Sequence, residues 1–341
     1  MPPNETAQPG ARFWAFSLAV LAIVGISWDG PAWGEPAAMI DDRNIEIATT
    51  GEAPLEEALR RHLAVLSTDI GERSPWRGDG LAHAEAYIRT IWDEAGLRVT
   101  EQAYDYQGRR VANLVAEAAG ARQDGPFTVV GAHYDTVPGT PGADDNASGV
   151  AVLLELGRRL AASPPGLPLR LVAFTLEEPP AFATREQGSR VFVRRLAEAG
   201  GRVSGAIVLE MVGFTAHHQT YPFFLRWAGY PDHGRYIGVV GNRASRKFGG
   251  AVLKGFRGNP RLPVESLFVP FDGWILPDTR LSDHASFWDA GWPAVMVTDT
   301  AFFRNPHYHG PSDRAETLDY AFMAELVLSL ENALAELAAL D

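Results

Sequence analysis

Five short segments carry side chains of the kind that hold metals or move protons. In Gly131-Ala132-His133-Tyr134-Asp135 a histidine directly follows an apolar run, where its imidazole can be offered to a metal. An aspartate two residues on can hold that ring in orientation. Taken alone, such a histidine reads more readily as a hydrogen-bonded loop residue than as a ligand. Twelve residues later, Asp144-Asp145-Asn146 opens a helical pattern. Asp144 reads as a cap, its oxygens accepting first-turn N–H groups. Asp145, combined with His133, reads as a carboxylate able to bridge two cations. Asn146-Ala147-Ser148 also matches a glycosylation sequon, but its place in this loop argues against that use.

The third segment, Leu171 to Pro180, is a strand-like run ending in Glu177-Glu178-Pro179-Pro180. Adjacent carboxylates repel unless a positive group lies between them. A metal would relieve that repulsion, with one carboxylate ligating and the other free as a general base toward a bound water. The fourth, Ile207 to Gly213, buries Glu210 in an apolar strand, where an unpaired carboxylate is expensive and should meet a cation or keep its proton. The fifth, Asn305 to Asp313, offers His307, Tyr308 and His309 in one turn, and both histidines cannot be assumed to be ligands.

Periodicity supplies the elements that must position these groups. Apolar residues at three- and four-residue spacing predict helices over 54–66 and 80–95, and alternating or apolar runs predict strands over 97–106, 111–116 and 127–131. A strand–helix rhythm follows: helix 148–162, strand 169–175, helix 189–199, strand 206–212. Beyond a glycine- and aromatic-rich stretch come strand 236–240, helix 245–255, strand 294–297 and a long helix 318–340. This pattern predicts one α/β domain, a mainly parallel central sheet flanked by helices, with ligands at the carboxyl ends of its strands.

Of 341 residues, 30 are Lys or Arg and 42 Asp or Glu, a net charge of −12 that argues against a nucleic-acid partner. The absence of cysteine removes thiol nucleophiles, disulfides and sulfur ligands, leaving any metal to His, Asp and Glu. Residues 13–28 are uncharged and nearly all apolar. Residues 1–34 therefore read as a signal peptide or a membrane anchor, 35–51 as a linker and 52–341 as the catalytic domain. Either N-terminal reading places the rest outside the cytoplasm. Three further features carry less weight. Ser282-Asp283-His284 looks like a hydrolase triad, but successive residues do not face one another. His217-His218 reads as a surface pair. Phe268 to Ile275 (FVPFDGWI) reads by default as core, with a pocket lining for the first substrate side chain as the alternative.

Together the five segments, from about Pro54 onward, resemble in order and spacing the M28 zinc aminopeptidases, metallopeptidases with two zinc ions in one site. That resemblance implies a three-layer α/β/α zinc-peptidase fold and His133, Asp145, Glu178, Glu210 and His309 as ligands of two Zn²⁺ per chain, with Asp145 bridging. It implies Glu177 as general base, Asp135 as the partner of His133, and Tyr308 as a group polarising the scissile carbonyl. Glu210 stands where many members have Asp. Asp283 and His284 match a family segment, SDHASF, near the pocket. Three ligand carboxylates and a hydroxide would balance two Zn²⁺, leaving Glu177 free. The expected reaction is hydrolysis of the first peptide bond of a substrate with a free N-terminus by zinc-activated hydroxide. Two rivals share the fold, a single-zinc glutaminyl-cyclase-like acyltransferase and a non-catalytic binding ectodomain. Retention of both His133 and the Asp145 motif favours the peptidase.

Overall fold

A computed structural model of the chain describes residues 53–117 and 125–340. The apolar segment 13–28 and the whole of the linker 35–51 lie outside the described residues. The helices are α1 (Ala53–Leu63), α2 (Gly80–Glu94), α3 (Gly149–Ala162), α4 (Gly188–Glu198), α5 (Phe223–Trp227), α6 (Arg246–Arg257), α7 (His284–Asp289) and α8 (Tyr320–Ala338). The strands are β1 (Arg98–Tyr106), β2 (Arg109–Glu117), β3 (Phe127–His133), β4 (Leu169–Phe174), β5 (Val203–Glu210), β6 (Ile237–Asn242), β7 (Val264–Val269) and β8 (Ala294–Thr298). They form one sheet in the order β1-β2-β4-β3-β5-β8-β6-β7.

The four central strands, β4, β3, β5 and β8, are mutually parallel, as the strand–helix rhythm predicts. The outer strands differ: β2 is antiparallel to β4, β1 to β2, and β6 to β8, with β7 parallel to β6. The carboxyl ends of β3, β4, β5 and β8 therefore share one edge, and those of β6 and β7 share the other. The chain steps from β3 to β4 on one side and back to β5 on the other, so β3 lies at the switch point where α/β sheets place ligands.

Helices cover both faces, which is why the central strands read as unbroken apolar runs. Val130 and Ala132 of β3 point into one core with α1, α2, α3, α6 and α8, while Phe127 and Val129 point into the other with α4 and α7. In the second core the rings of Phe174, Phe192 and Phe287 meet at 5.8–6.4 Å. In the first, Leu153, Leu154 and Leu156 of α3 are wholly buried, each contributing roughly 1.5–3 kcal/mol relative to exposure. Two glycines set close approaches. A Cβ at Gly131 would lie 2.5 Å from the Phe174 ring, and one at Gly255 would lie 2.4 Å from the Ala333 backbone, closing α6 on α8.

Most element boundaries agree with the periodicity to within three residues, but α1 gives way to a wider helical turn, Ala64–Ile70. The aromatic stretch after residue 264 corrects the expectation of a buried segment. Val264–Val269 is an edge strand, and beyond it Phe271 and Trp274 are 64% and 67% exposed. Edge position leaves the strand covered on one side only, so aromatic content here does not signal burial.

Candidate active site

Strand direction brings four predicted groups to one edge. His133 is the last residue of β3, Glu210 the last of β5, and Glu177-Glu178 follow β4 by three residues. Leu176 (φ 53°) and Met211 (φ 49°), next to these ends, adopt the left-handed conformation that few side-chain-bearing residues take, and so does His309 (φ 55°). Asp145 arrives from the loop before α3, and His309 from the turn between β8 and α8. All but His309 are buried; that ring, about one-third exposed, marks the mouth.

Asp145 offers a different oxygen to each side. Its Oδ1 lies 3.4 Å from His133 Nε2, which is 3.5 Å from Glu210 Oε1. Its Oδ2 lies 3.2 Å from His309 Nε2, which is 3.4 Å from Glu178 Oε2. These spacings match the edge, ~3.3 Å, of a tetrahedron of N and O ligands with bonds of ~2.0–2.1 Å. Glu177 stands slightly apart, Oε2 3.9 Å from His133 Nε2. His307 points elsewhere, its Nδ1 3.0 Å from Ser312 Oγ and its ring against Phe214.

Among the described residues, no Lys or Arg bonds to these four carboxylates. Burial pushes Glu177 well above the ordinary carboxylate range, with Glu210 and Glu178 adding repulsion against the pull of His133. Burial, then Asp145, pushes Glu178 up to about 8. Burial opposes charge on His309, yet contacts with Asp145 and Glu178 hold its proton up to about 10, and His133 is held well up by Glu210 and Glu177. Each half of the site thus calls for positive charge. Glu178 Oε1 is also buried without a hydrogen-bond partner. The nitrogen and oxygen donors fit a borderline cation such as Zn²⁺ in each half.

Buried brackets hold these groups, and several were not legible from local sequence. Asp135 accepts N–H bonds from Glu177 (3.0 Å) and Glu178 (3.1 Å), so it positions the end of β4, and it lies 3.5 Å from His133 Nδ1. Asp313 accepts from the amides of Asp144 (2.9 Å) and Asp145 (3.1 Å). Asp144 corrects the capping expectation. Its oxygens accept from Gly213 N (2.9 Å) and Asn305 Nδ2 (2.7 Å), tying the loop after β5 to the His309 turn. Asn146 instead accepts from Gly149 N at the helix start and from Met211 N, and its Nδ2 donates to Leu209 O. It is fully buried, consistent with setting the sequon aside.

Arg73, also fully buried, donates to the carbonyls of Tyr134, Leu66, Gly71, Pro141 and Gly142, joining both ends of the loop between His133 and Asp145. In the SDHASF segment, Ser282 Oγ donates to Glu210 Oε2 (2.6 Å), and Asp283 accepts from Gln187 Nε2 (3.0 Å). His284 faces away: its Nε2 lies 2.8 Å from Thr279 O, and its ring meets Trp288 edge-on. No triad forms. Tyr308 stacks on His309, ring centroids 3.8 Å apart, and burial with four nearby carboxylates keeps its phenol protonated. His217 and His218 are exposed, as read.

At the carboxyl edge of an α/β sheet, two carboxylate–imidazole donor sets that meet at one aspartate form a site that could hold metal ions and serve a hydrolase. The chain belongs to Peptidase family M28, whose profile matches residues 113–332. It is 39% identical over 287 residues to the uncharacterized protein YfbL of Escherichia coli (strain K12), covering 80% of this chain and 85% of that protein. Aminopeptidase YwaD of Bacillus subtilis (strain 168) is 29% identical over 195 residues, 55% of this chain but 36% of YwaD. The fold matches the crystal structure of the LapA aminopeptidase of Legionella pneumophila with a TM-score of 0.65, at 20% identity, covering 84% of this chain and 74% of that one. It also matches the glutaminyl cyclase of Porphyromonas gingivalis with a TM-score of 0.62, at 19% identity, covering 83% and 98%.

Proposed function

We propose that the chain is an extracytoplasmic aminopeptidase using two zinc ions, held by His133, Asp145 and Glu210 on one side and by His309, Asp145 and Glu178 on the other. The observation that carries this reading is Asp145, which presents one oxygen to each histidine. When bound, the metals would acidify a water and draw electron density from the scissile carbonyl oxygen. Glu177, the carboxylate standing apart from both donor sets, takes the proton of the attacking water and returns it to the leaving amine. Its raised proton affinity suits a base that must hold the proton between those two moments. Tyr308, protonated and stacked at the mouth, donates to the oxygen on which charge develops. Asp135 keeps base and ligand in register through their amides.

The experiment is zinc stoichiometry by elemental analysis on the full chain, run beside hydrolysis of an aminoacyl-anilide panel before and after chelation. Two zinc ions per chain and chelator-sensitive release are expected. Glu177→Ala should keep both metals and lose 10²–10⁴-fold in kcat, on the order of a general base's contribution. One zinc with cyclisation of N-terminal glutamine would replace this reading with the cyclase. No metal and no turnover after zinc addition would leave a binding protein.

A further inference from the structure

The sheet edge opposite the ligand cluster carries an exposed aromatic and basic surface. β6 and β7 end there because they run against β8. The chain leaving β7 is pinned to that end, since Asn242 Nδ2 donates to Asp272 Oδ1 (2.7 Å). From it project Phe271, Trp274 and Ile275, at 64%, 67% and 40% exposure. The Arg280 guanidinium lies 3.9 Å over the Trp274 ring and bonds to Asp272 O, holding the indole against a fixed partner. Half-buried Trp292 leads into β8 at the same edge.

Charge accompanies the rings. Arg243, Arg246 and Lys247, where β6 turns into α6, and Arg202, just before β5, are all exposed. Of the acidic groups nearby, Asp289 pairs with Arg190 and Arg280, while Asp272, bonded only by the neutral Asn242 amide, Asp278 and Glu198 are exposed, fewer than the basic groups around them. A local excess of basic side chains in a chain of net charge −12 needs a reason. Tryptophan and phenylalanine interleaved with Arg and Lys suit the headgroup level of an anionic bilayer.

A connector of 24 residues, 29–52, lies between the apolar segment and α1 and spans at most ~85 Å fully extended, long enough for an anchor at 13–28 to let either edge of the sheet reach a bilayer.

We propose that this edge docks on an anionic lipid surface, with Phe271, Trp274 and Ile275 at headgroup level and Arg243 and Lys247 among the phosphates, so that the candidate active site faces away from the membrane. The proposal rests on reading residues 13–28 as a retained anchor. Because the chain has no cysteine, single-cysteine labelling is clean. Full-length Ile275→Cys and Trp227→Cys, each carrying an environment-sensitive fluorophore, are mixed with phosphatidylcholine–phosphatidylglycerol vesicles. Trp227 is the control, a 92% exposed aromatic in the loop joining β5 to β6 on the site side.

Co-sedimentation with the vesicles, together with a blue-shifted, several-fold brighter signal at position 275 and none at 227, is the expected result. Nitroxide-lipid quenching should follow the same pattern. Arg243→Glu combined with Lys247→Glu should remove most of the signal at 275 while anilide hydrolysis is unchanged. Sedimentation with the 275 probe still in water would overturn docking and leave the anchor standing. No sedimentation would overturn both. A 275 signal that rises with protein concentration without vesicles would overturn docking in favour of self-association.

Discussion

Asp135→Asn tests the bracket beneath the candidate base. Asp135 accepts from the amides of both Glu177 and Glu178, at 3.0 and 3.1 Å, and all three residues are buried. The substitution keeps the shape but turns one acceptor oxygen into an amino group facing an N–H. One charge-assisted hydrogen bond is lost, about 1.5–3 kcal/mol, and a buried N–H is left unpaired. For the ~280 described residues the melting entropy is about 0.6 kcal/mol/K, so the Tm of chelated protein should fall by ~2–5 °C. The same displacement moves both carboxylates, and kcat of the zinc-loaded enzyme should fall ~10–100-fold. Asp135→Ala removes both acceptors and should roughly double the loss of stability. Calorimetry on chelated protein and anilide kinetics on loaded protein read the two effects separately. Lost activity with unchanged Tm would mean that Asp135 acts only through His133, and a lower Tm with intact activity would refute the bracket's role in placing Glu177 and Glu178.

Ser282→Ala removes the 2.6 Å bond to Glu210 Oε2 and should weaken zinc retention ~10–100-fold in competition with a chelator. A lower Tm with unchanged retention would make that serine merely structural. His284, buried against Trp288, is held neutral by burial, its pKa lowered to about 4 against an ordinary 6.5. The unfolded chain takes up this proton near 6.5 and the folded chain only near 4. The contribution is therefore complete above pH 6.5 and lost as pH falls toward 4, at most about 3 kcal/mol. Urea midpoints of chelated protein at pH 7.5 and 5 should converge more for His284→Gln than for the wild type, and equal slopes would count against this assignment.

The layers and most of the donors are legible in the residue pattern. The apolar run 127–131 suits a strand covered on both faces, and the spacing over 148–162 suits a helix, as β3 and α3 are. The donors were legible because each sits directly at a strand end or loop where its charge contradicts its surroundings: Glu210 in β5, Glu177 beside Glu178, and His133 closing β3. Asp145 was legible as a bridge only in combination with His133, and His309 needed the resemblance to an M28 site as well, since two histidines share its turn.

Tertiary structure alone decided what holds those donors. Asp313 reaches back 168 residues to the Asp145 amide, and Asp144 reaches forward 161 to Asn305. Arg73 spends its guanidinium on carbonyls from 61 to 69 residues away as well as on nearby ones. A hydrogen bond between distant segments leaves no periodicity, and a polar residue buried by its partner looks locally like any loop or cap residue. The reversal of β6 and β7 was hidden for a related reason. Strand sequence records which faces are covered but not which neighbour is paired or in which direction. That reversal, invisible in the residues of either strand, is what carries Phe271 and Trp274 to the edge away from the donors.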